Sequence, residues 1–298
     1  MLPQLYINLL KRVVSHQNRS AYDTLDEVVL LSPAYIPEFR KLIGKKDARR
    51  LSAIPNAIQP VHSVIPIEQK DKEILINTSK SLCKRFNPQV GLIRSWDFGK
   101  WTYPVIIDNM MNLELLFWAS EQTGNSKFRD VAVAHADKTL KNHFRENMSS
   151  YHVVSYSVPD GKVESKGTFQ GYSDTSAWAR GQSWGLYGYT MCYRFTKNPA
   201  YLDAARKIAH FIMKNRPSKK DYIPYWDYNA PDIPNAPRDA SAAAITASAL
   251  LELGGYVDDH KLGDSYIKYA ENILKQLSSS DYLAKENENK GFILKHSV

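Results

Sequence analysis

Three stretches of the chain repeat one helical pattern, and this repetition constrains the fold more than any other feature. Residues 115–136, 186–212 and 250–274 each run from an apolar helical segment through a polar turn into a second helix with alanines on one face. The second helices carry an aromatic residue at matching places, namely Phe128, Tyr201 and Tyr266. Each hairpin can bury its apolar face only against its neighbours, so the pattern predicts an all-α array of helical hairpins.

Long segments separate these hairpins. Phe128 and Tyr201 are 73 residues apart, and Tyr201 and Tyr266 are 65 apart, whereas a compact solenoid repeat has about 34–47 residues. Within 147–184, two alternating stretches flank a Pro-Asp-Gly turn, which predicts a short β-hairpin. The proline-rich segment 217–244 cannot be helical until Asp239, which is a good N-cap for the alanine run that follows. We therefore expect a toroid of helical hairpins whose long loops carry the function.

The charge balance favours an anionic partner without choosing its class. The 298-residue chain has a formal net charge of +8, which suits acidic sugars, nucleic acid or a membrane surface. No nucleic-acid-binding motif supports the second class, and no apolar run of about 18 residues supports a transmembrane helix. Residues 1–14 make a poor signal peptide, so we expect a cytoplasmic protein, or a periplasmic one if the native N-terminus is longer.

Metal and nucleotide chemistry are not expected. The two cysteines, Cys83 and Cys192, form no CxxC pattern, and the histidines do not cluster at metal-ligand spacing. The chain has no P-loop and no glycine-rich dinucleotide fingerprint. We predict neither a metal site nor a cofactor, no disulfide framework, and no serine-hydrolase site.

The loop before the second hairpin concentrates side chains that suit an acidic sugar. Four of them alternate over a short stretch, namely Trp178, Arg180, Gln182 and Trp184. A tryptophan ring stacks on a sugar, and an arginine fork binds a carboxylate. The alternative is that the tryptophans belong to the core and Arg180 pairs with Asp174. We favour a binding site because these side chains occur together.

Asp108 stands between the β-branched run Val105-Ile106-Ile107 and an apolar helical pattern. An aspartate is a poor interior residue unless it caps a helix, is paired or does chemistry. Its position therefore marks Asp108 as either a helix cap or a functional carboxyl.

Four motifs give the chain a resemblance to a known family. They are "PVIIDNMMNLELL", "SSYHVVSYSVPDGKV", "TFQGYSDTSAWARGQSWGLYGY" and "PYWDYNAPDIPNAPRDASAAAITASALLEL". In this order they resemble glycoside hydrolase family 88, the unsaturated glucuronyl hydrolases, over residues 71–298. The resemblance implies an (α/α)6 barrel and an oligosaccharide substrate with a 4,5-unsaturated uronic acid at its non-reducing end. It also implies cleavage by hydration of the C4=C5 bond.

The resemblance also implies roles for individual residues. The general acid/base of the family matches Asp108, whose apolar approach would raise the carboxyl pKa toward the working pH. The expected substrate contacts are Trp96, His152, Gln170, Arg180 and Trp184, with Trp96 as a stacking wall.

The ends of the chain depart from the family pattern. Residues 1–70 read as a non-family helical segment, with amphipathic stretches at 2–14 and 36–51, followed by a proline-rich linker at 54–69. The family carries a His-Asp pair upstream, and this chain has no His-Asp dipeptide. The family also continues beyond the sequence at 292–298. Residues 71–298 are therefore expected to form a partial barrel with impaired turnover.

Three alternatives stay open from the sequence. The first is an unsaturated rhamnogalacturonyl hydrolase, which shares the fold and mechanism but resembles the chain less around "WARGQ". The second is a catalytically dead acidic-sugar binder that keeps Trp96, Arg180 and Trp184. The third is a purely structural helical-repeat protein, which the density of polar and aromatic residues in one loop disfavours.

Overall fold

A computed structural model describes residues 28–30, 51–53 and 69–282. The chain divides into two compact units, one of Met1–Glu68 with Leu274–Leu294 and the other of Gln69–Ile273 with Lys295–Val298. In the first unit, strands β1 (Val28–Leu30) and β2 (Leu51–Ala53) pair in parallel. The sequence did not predict these two strands.

The predictions for the chain ends fall mostly outside the described residues. The amphipathic stretch 2–14, the linker residues 54–68 and the terminal sequence 292–298 all lie there. Of the stretch 36–51 only Leu51 is described, and it belongs to β2 instead of a helix. The domain boundary at residue 70 stays a prediction.

Residues 69–282 form seven helices and five short strands. In chain order these are α1 (Gln69–Cys83), β3 (Phe86–Asn87), β4 (Leu92–Ile93), β5 (Pro104–Ile106), α2 (Asn109–Thr123), α3 (Ser126–Asn142), β6 (Val153–Tyr156), β7 (Val163–Gly167), α4 (Ala179–Thr196), α5 (Pro199–Lys214), α6 (Ala240–Leu253) and α7 (His260–Leu277). The described part of the chain is thus mainly helical, as predicted.

The three predicted hairpins correspond to the pairs α2–α3, α4–α5 and α6–α7. Two of their turns are built alike. A residue in the left-handed region ends the first helix, at Gly124 (φ 68°) and at Lys197 (φ 55°). The next residue, Asn125 or Asn198, then accepts a backbone N–H of the second helix through its side chain. The same turn chemistry explains why the sequence pattern repeats.

Helix α4 lies at the centre of this helical array and packs against α2, α5 and α6. Most of its residues are buried, including three glycines, and at Gly181 and Gly188 an added Cβ atom would lie less than 3.0 Å from a neighbouring segment. A Cβ atom on Gly188 would overlap Cβ of Met110 in α2. Toward α6, Ser183 Oγ lies 2.9 Å from Thr246 Oγ1. Glycine and small side chains therefore set the short distances between these helices.

A buried charged network joins the same three helices. Arg194 of α4 donates to Glu114 of α2 at 2.8 Å and to Glu252 of α6 at 2.7 Å. Glu114 also accepts the hydroxyl of Tyr187 at 2.5 Å. Because buried charges are tolerated only when paired and hydrogen-bonded, these contacts fix the relative positions of α2, α4 and α6.

The predicted β-hairpin is confirmed as β6 and β7, and it belongs to a three-stranded antiparallel sheet. The third strand, β5, was not predicted. It pairs with β6 so that Val105 is opposite Val154 and Ile106 is opposite Val153. The sheet therefore ties the segment before Asp108 to the segment after His152.

The contact between α2 and α4 predicts a steric effect on stability. Gly188→Ala should lower the free energy of unfolding by about 1–3 kcal/mol, because its methyl group must displace Met110 in a packed core. Chemical denaturation measures this change. Gly255→Ala is the control, since its nearest neighbour would be at an ordinary contact distance of 3.4 Å. Equal stability of the two variants would contradict the close approach.

Candidate active site

Strands β5 and β6 bring two polar side chains together at one end of their ladder. The pairing continues one residue beyond β5, where Ile107 N donates to His152 O at 3.0 Å. Asp108 follows Ile107 directly and precedes α2. The carboxyl of Asp108 and the imidazole of His152 therefore face each other, with Oδ2 and Nε2 3.7 Å apart.

Asp108 occupies the N-cap position of α2 without acting as its cap. Its backbone has helical angles, and its side chain accepts no capping hydrogen bond. Oδ2 is buried and has no hydrogen-bond partner among the described residues. Burial raises the pKa of this carboxyl to about 7, although its own backbone N–H and the charge of Arg180 oppose the shift. A carboxyl with such a pKa can both donate and accept a proton near neutral pH.

The tautomer of His152 follows from its hydrogen bonds. Its Nδ1 accepts the backbone N–H groups of Phe169 and Gln170, each at 3.1 Å. The ring proton therefore sits on Nε2, which points toward Asp108. Burial, followed by the nearby His143, lowers the pKa of His152 to about 3, so the ring is neutral at working pH. Since 3.7 Å is too long for a hydrogen bond, the Nε2–H group and Oδ2 both lack a hydrogen-bond partner among the described residues.

Arg180 lies beside this pair on the first turn of α4. Its Nε and Nη2 donate to Oδ2 of Asp239 at 3.1 and 3.0 Å. Asp239 is buried, and its Oδ1 accepts Ala242 N at 2.8 Å as the predicted cap of α6. The alternative pairing of Arg180 with Asp174 is therefore wrong, and Asp174 instead accepts Thr168 N at 2.9 Å. Two donors of the Arg180 fork are held by Asp239.

The remaining predicted residues are Gln170, Trp96 and Trp184, and the first two are connected to His152 through the segment 169–170. Gln170 is exposed, and its backbone reaches His152. Trp96 packs against Phe169, the neighbour of Gln170, with ring centroids 5.6 Å apart. Trp184 lies one helical turn beyond Arg180, and its ring meets Tyr187 edge-on at 5.8 Å. The sugar contacts of these three side chains stay predictions.

Comparison with known proteins identifies the family. No family model matches the chain. An unsaturated glucuronyl hydrolase from Formosa agariphila is 48% identical over 235 residues, covering 78% of this chain and 58% of that protein. A crystal structure of an unsaturated glucuronyl hydrolase specific for heparin is 52% identical, with a TM-score of 0.74 over 78% of this chain and 62% of that one. A structure of a UGL variant with dGlcA-Glc-Rha-Glc is 30% identical, with a TM-score of 0.73 over 97% and 72%.

The chain belongs to glycoside hydrolase family 88, the unsaturated glucuronyl hydrolases. The solved relatives are (α/α)6 barrels, which agrees with the predicted fold class. The chain spans about 58% of the length of the curated relative from Formosa agariphila.

Two buried residues support the loop around the candidate site and were not among the catalytic or substrate-binding residues predicted from the sequence. Trp178 is buried, and its ring contacts that of His152 at 4.7 Å. Asp227 is fully buried and accepts Tyr172 N at 2.9 Å and Ser176 Oγ at 2.7 Å. Trp178 belongs to the alternating pattern that the sequence shows. Asp227 carries no comparable signal, because its partners lie about fifty residues away.

The chain contains a sequence pattern of serine hydrolases, although no serine-hydrolase site was predicted. Residues 181–185 read Gly-Gln-Ser-Trp-Gly and match G-x-S-x-G. The motif lies inside α4, whereas a nucleophilic serine of that class sits exposed on a turn between a strand and a helix. Ser183 is buried and donates to Ala179 O at 2.9 Å. It therefore packs between helices and does not act as a nucleophile.

Within residues 28–30, 51–53 and 69–282, no three His, Cys, Asp or Glu side chains group so that they could hold a metal ion. None of the helices in these residues has the length and apolar character needed to span a membrane.

The raised pKa of Asp108 predicts a pH-dependent stability. An aspartate in an unfolded chain has a pKa of about 3.9, and folding raises that of Asp108 to about 7. Between these values the folded state binds more protons, so wild-type stability should fall as the pH rises. Asp108→Asn should lack this contribution. Denaturation of both proteins at several pH values from 4 to 8 measures the difference.

The exposed Asp264 on α7 provides the control for this experiment. Asp264→Asn should follow the wild type, because its carboxyl faces water in both states. If the free energy of unfolding of Asp108→Asn changed with pH in the same way as that of the wild type, the pKa of the Asp108 carboxyl would not be raised in the folded protein.

Proposed function

We propose that this chain hydrolyses oligosaccharides whose non-reducing end is a 4,5-unsaturated uronic acid, with Asp108 as the general acid/base. The observation that carries this proposal is the buried carboxyl of Asp108, which makes no helix-capping hydrogen bond. Its pKa of about 7 lets it hold a proton near neutral pH. Membership of glycoside hydrolase family 88 supports the same reaction.

The reaction is a hydration followed by a collapse of the sugar ring. The Asp108 carboxyl gives its proton to C4 of the enol ether, which leaves an oxocarbenium ion at C5. Water adds to C5, and the Asp108 carboxylate takes back the proton that the water loses. The C5 hemiketal then opens to a ketone, and the hemiacetal at C1 releases the second sugar as an alcohol. One water is consumed, and Asp108 ends as it began.

Each neighbouring side chain is assigned a separate contact with the substrate. The Nε2–H group of His152 donates to a substrate oxygen next to Asp108, since its tautomer is fixed. Arg180 brings positive charge to the uronate, although Asp239 holds two of its donors. Trp96 and Trp184 offer aromatic rings on which sugars stack, and the exposed amide of Gln170 can bind a sugar hydroxyl.

The substrate class follows from charge and from the relatives. A net charge of +8 favours anionic oligosaccharides. One relative at 52% identity is an unsaturated glucuronyl hydrolase specific for heparin. Unsaturated disaccharides from a heparin-lyase digest are therefore the first substrates to test, with the saturated disaccharides as controls. Loss of the ultraviolet absorbance of the C4=C5 bond reports the reaction.

Replacing the acid should abolish turnover while leaving the fold intact. Asp108→Asn is nearly isosteric but has no proton to give C4, so the rate should fall by about 10²–10⁴-fold or more. Substrate affinity should change far less, because His152 and Arg180 remain. The melting temperature and the loss of C4=C5 absorbance are measured on the same sample. An unchanged rate would exclude Asp108 as the acid and leave Asp174 as the next carboxyl to test.

The pH profile should show one ionisation near neutrality. As the pH rises through about 7, Asp108 loses the proton that C4 requires, so kcat/KM should fall. Between pH 4 and 6 the profile should be flat, because His152 is already neutral with a pKa of about 3. His152→Gln keeps an N–H donor and should still show the fall of kcat/KM as the pH rises through about 7. If this fall disappeared in the variant, the histidine would be the titrating group.

A further inference from the structure

We propose that two buried histidines, His135 in α3 and His143 directly after it, are positioning residues that hold the Asp108 carboxyl beside His152. Neither ring is among the predicted substrate contacts, and each acts through the backbone of a strand. The inference rests on the proposed function, because it concerns the geometry that this reaction needs. One of the two measurements below uses no substrate, so the proposed function and the positioning roles can fail separately.

His143 contacts both strands that carry the candidate site. Its Nε2 lies 3.0 Å from Val105 O in β5, and its backbone oxygen accepts Tyr151 N at 2.8 Å. Val105 precedes Asp108 by three residues, and Tyr151 directly precedes His152. A single residue therefore holds the backbone that leads to each member of the Asp108–His152 pair.

His135 holds the other side of Asp108 through Ile93 of β4. Its Nδ1 accepts Ile93 N at 3.0 Å, and Ile93 O accepts Nδ2 of Asn109 at 2.9 Å. Asn109 is the first residue of α2 and directly follows Asp108. The two histidines thus act on the backbone before and after the carboxyl.

Both rings are neutral, and their partners fix their tautomers. Burial lowers the pKa of His135 to about 3 and that of His143 to about 4. His143 faces a carbonyl oxygen, which can only accept, so its proton is on Nε2. His135 accepts an N–H group at Nδ1, so its proton is on Nε2 as well. His143 is therefore needed as a donor and His135 as an acceptor.

Packing alone does not explain two histidines at these places. Both side chains are fully buried, and burying a polar ring costs free energy that an apolar side chain of similar size would not. Each ring directs one nitrogen at the backbone of a strand next to the site. Such contacts matter to the reaction, because a displacement of about 1 Å at a reacting group can lower the rate by about 10²-fold.

Amide side chains provide matched variants for the test. Nε2 of glutamine is as many bonds from Cβ as Nε2 of histidine, and Oδ1 of asparagine is as many as Nδ1. His143→Gln therefore keeps the donor to Val105 O, and His135→Asn keeps the acceptor for Ile93 N. His143→Leu and His135→Leu keep the bulk of the side chain and remove the hydrogen bond.

The first measurement is turnover of unsaturated disaccharides from a heparin-lyase digest. Each leucine variant should lower kcat by about 10–100-fold, as expected for a small displacement of the reacting carboxyl. KM should change little, because the side chains of His152 and Arg180 remain. The matched amide variants should recover most of the wild-type kcat.

Tyr189→Phe is the control for a loss of stability alone. The Tyr189 hydroxyl is buried and donates to Ala136 O of α3 at 2.9 Å, so its removal weakens the same helix without reaching β4 or β5. The melting temperature of this variant should fall, and its kcat should equal that of the wild type.

The second measurement needs no substrate. The contribution of Asp108 to the pH dependence of stability is the difference between each protein and its Asp108→Asn derivative, measured by denaturation from pH 4 to 8. In the leucine variants this contribution should shrink, because a displaced carboxyl meets water and its pKa falls from about 7 toward the ordinary value of about 3.9. The matched amide variants and Tyr189→Phe should retain it.

Leucine variants that kept either the wild-type kcat or the wild-type Asp108 contribution would overturn the positioning roles. Equal losses in the leucine and matched amide variants would also overturn them, since ring shape and not the hydrogen bond would then matter. If a leucine variant does not fold, His143→Asn or His135→Gln replaces it, because each places its amide at the wrong distance. If the wild type cleaves no substrate, the proposed function fails, and the pH dependence alone decides the positioning roles.

Discussion

The antiparallel pairing of β5 with β6 is the constraint on which the site depends. It places Ile107 N against His152 O, so that Asp108 and His152 leave the ladder side by side. A slip of one residue would turn every side chain of the strand to the other face and separate the pair. Strand β7 extends the same sheet to Gly167, and the backbone that follows supplies the two N–H groups that hold His152. One small sheet therefore positions the Asp108 carboxyl, the His152 imidazole and the groups that orient the imidazole.

The helices give this sheet a rigid support. Helix α4 carries Arg180 near the pocket and Arg194 near its other end, where Arg194 binds Glu114 of α2 and Glu252 of α6. Removing one partner of such a buried pair typically costs about 3–5 kcal/mol, because the other charge is left unpaired. Since α2 begins directly after Asp108, the network that fixes α2 to α4 also fixes the carboxyl relative to Arg180.

Burial shifts the pKa values of Asp108 and His152 in opposite directions, and both side chains are neutral as a result. It raises the pKa of Asp108 to about 7 and lowers that of His152 to about 3. In water at pH 5 to 6, the same two side chains would be largely an aspartate and an imidazolium. In the pocket both are mainly neutral, so the contact at 3.7 Å is not a salt bridge. The proton resides on the carboxyl, where a general acid needs it.

The sequence by itself determined the helical hairpins, the β6–β7 turn and the cap at Asp239, because short-range periodicity and turn chemistry encode them. It also singled out Asp108 as either a helix cap or a functional carboxyl, and the structure shows that its side chain does not cap α2. Only the tertiary structure decided the pairing of β5 with β6 and the partner of Arg180. That partner is Asp239 and not Asp174, although Asp174 is nearer in the sequence. The physical reason is the same in both cases: strand partners and buried ion pairs join segments that lie tens of residues apart, and their choice depends on how the helices pack.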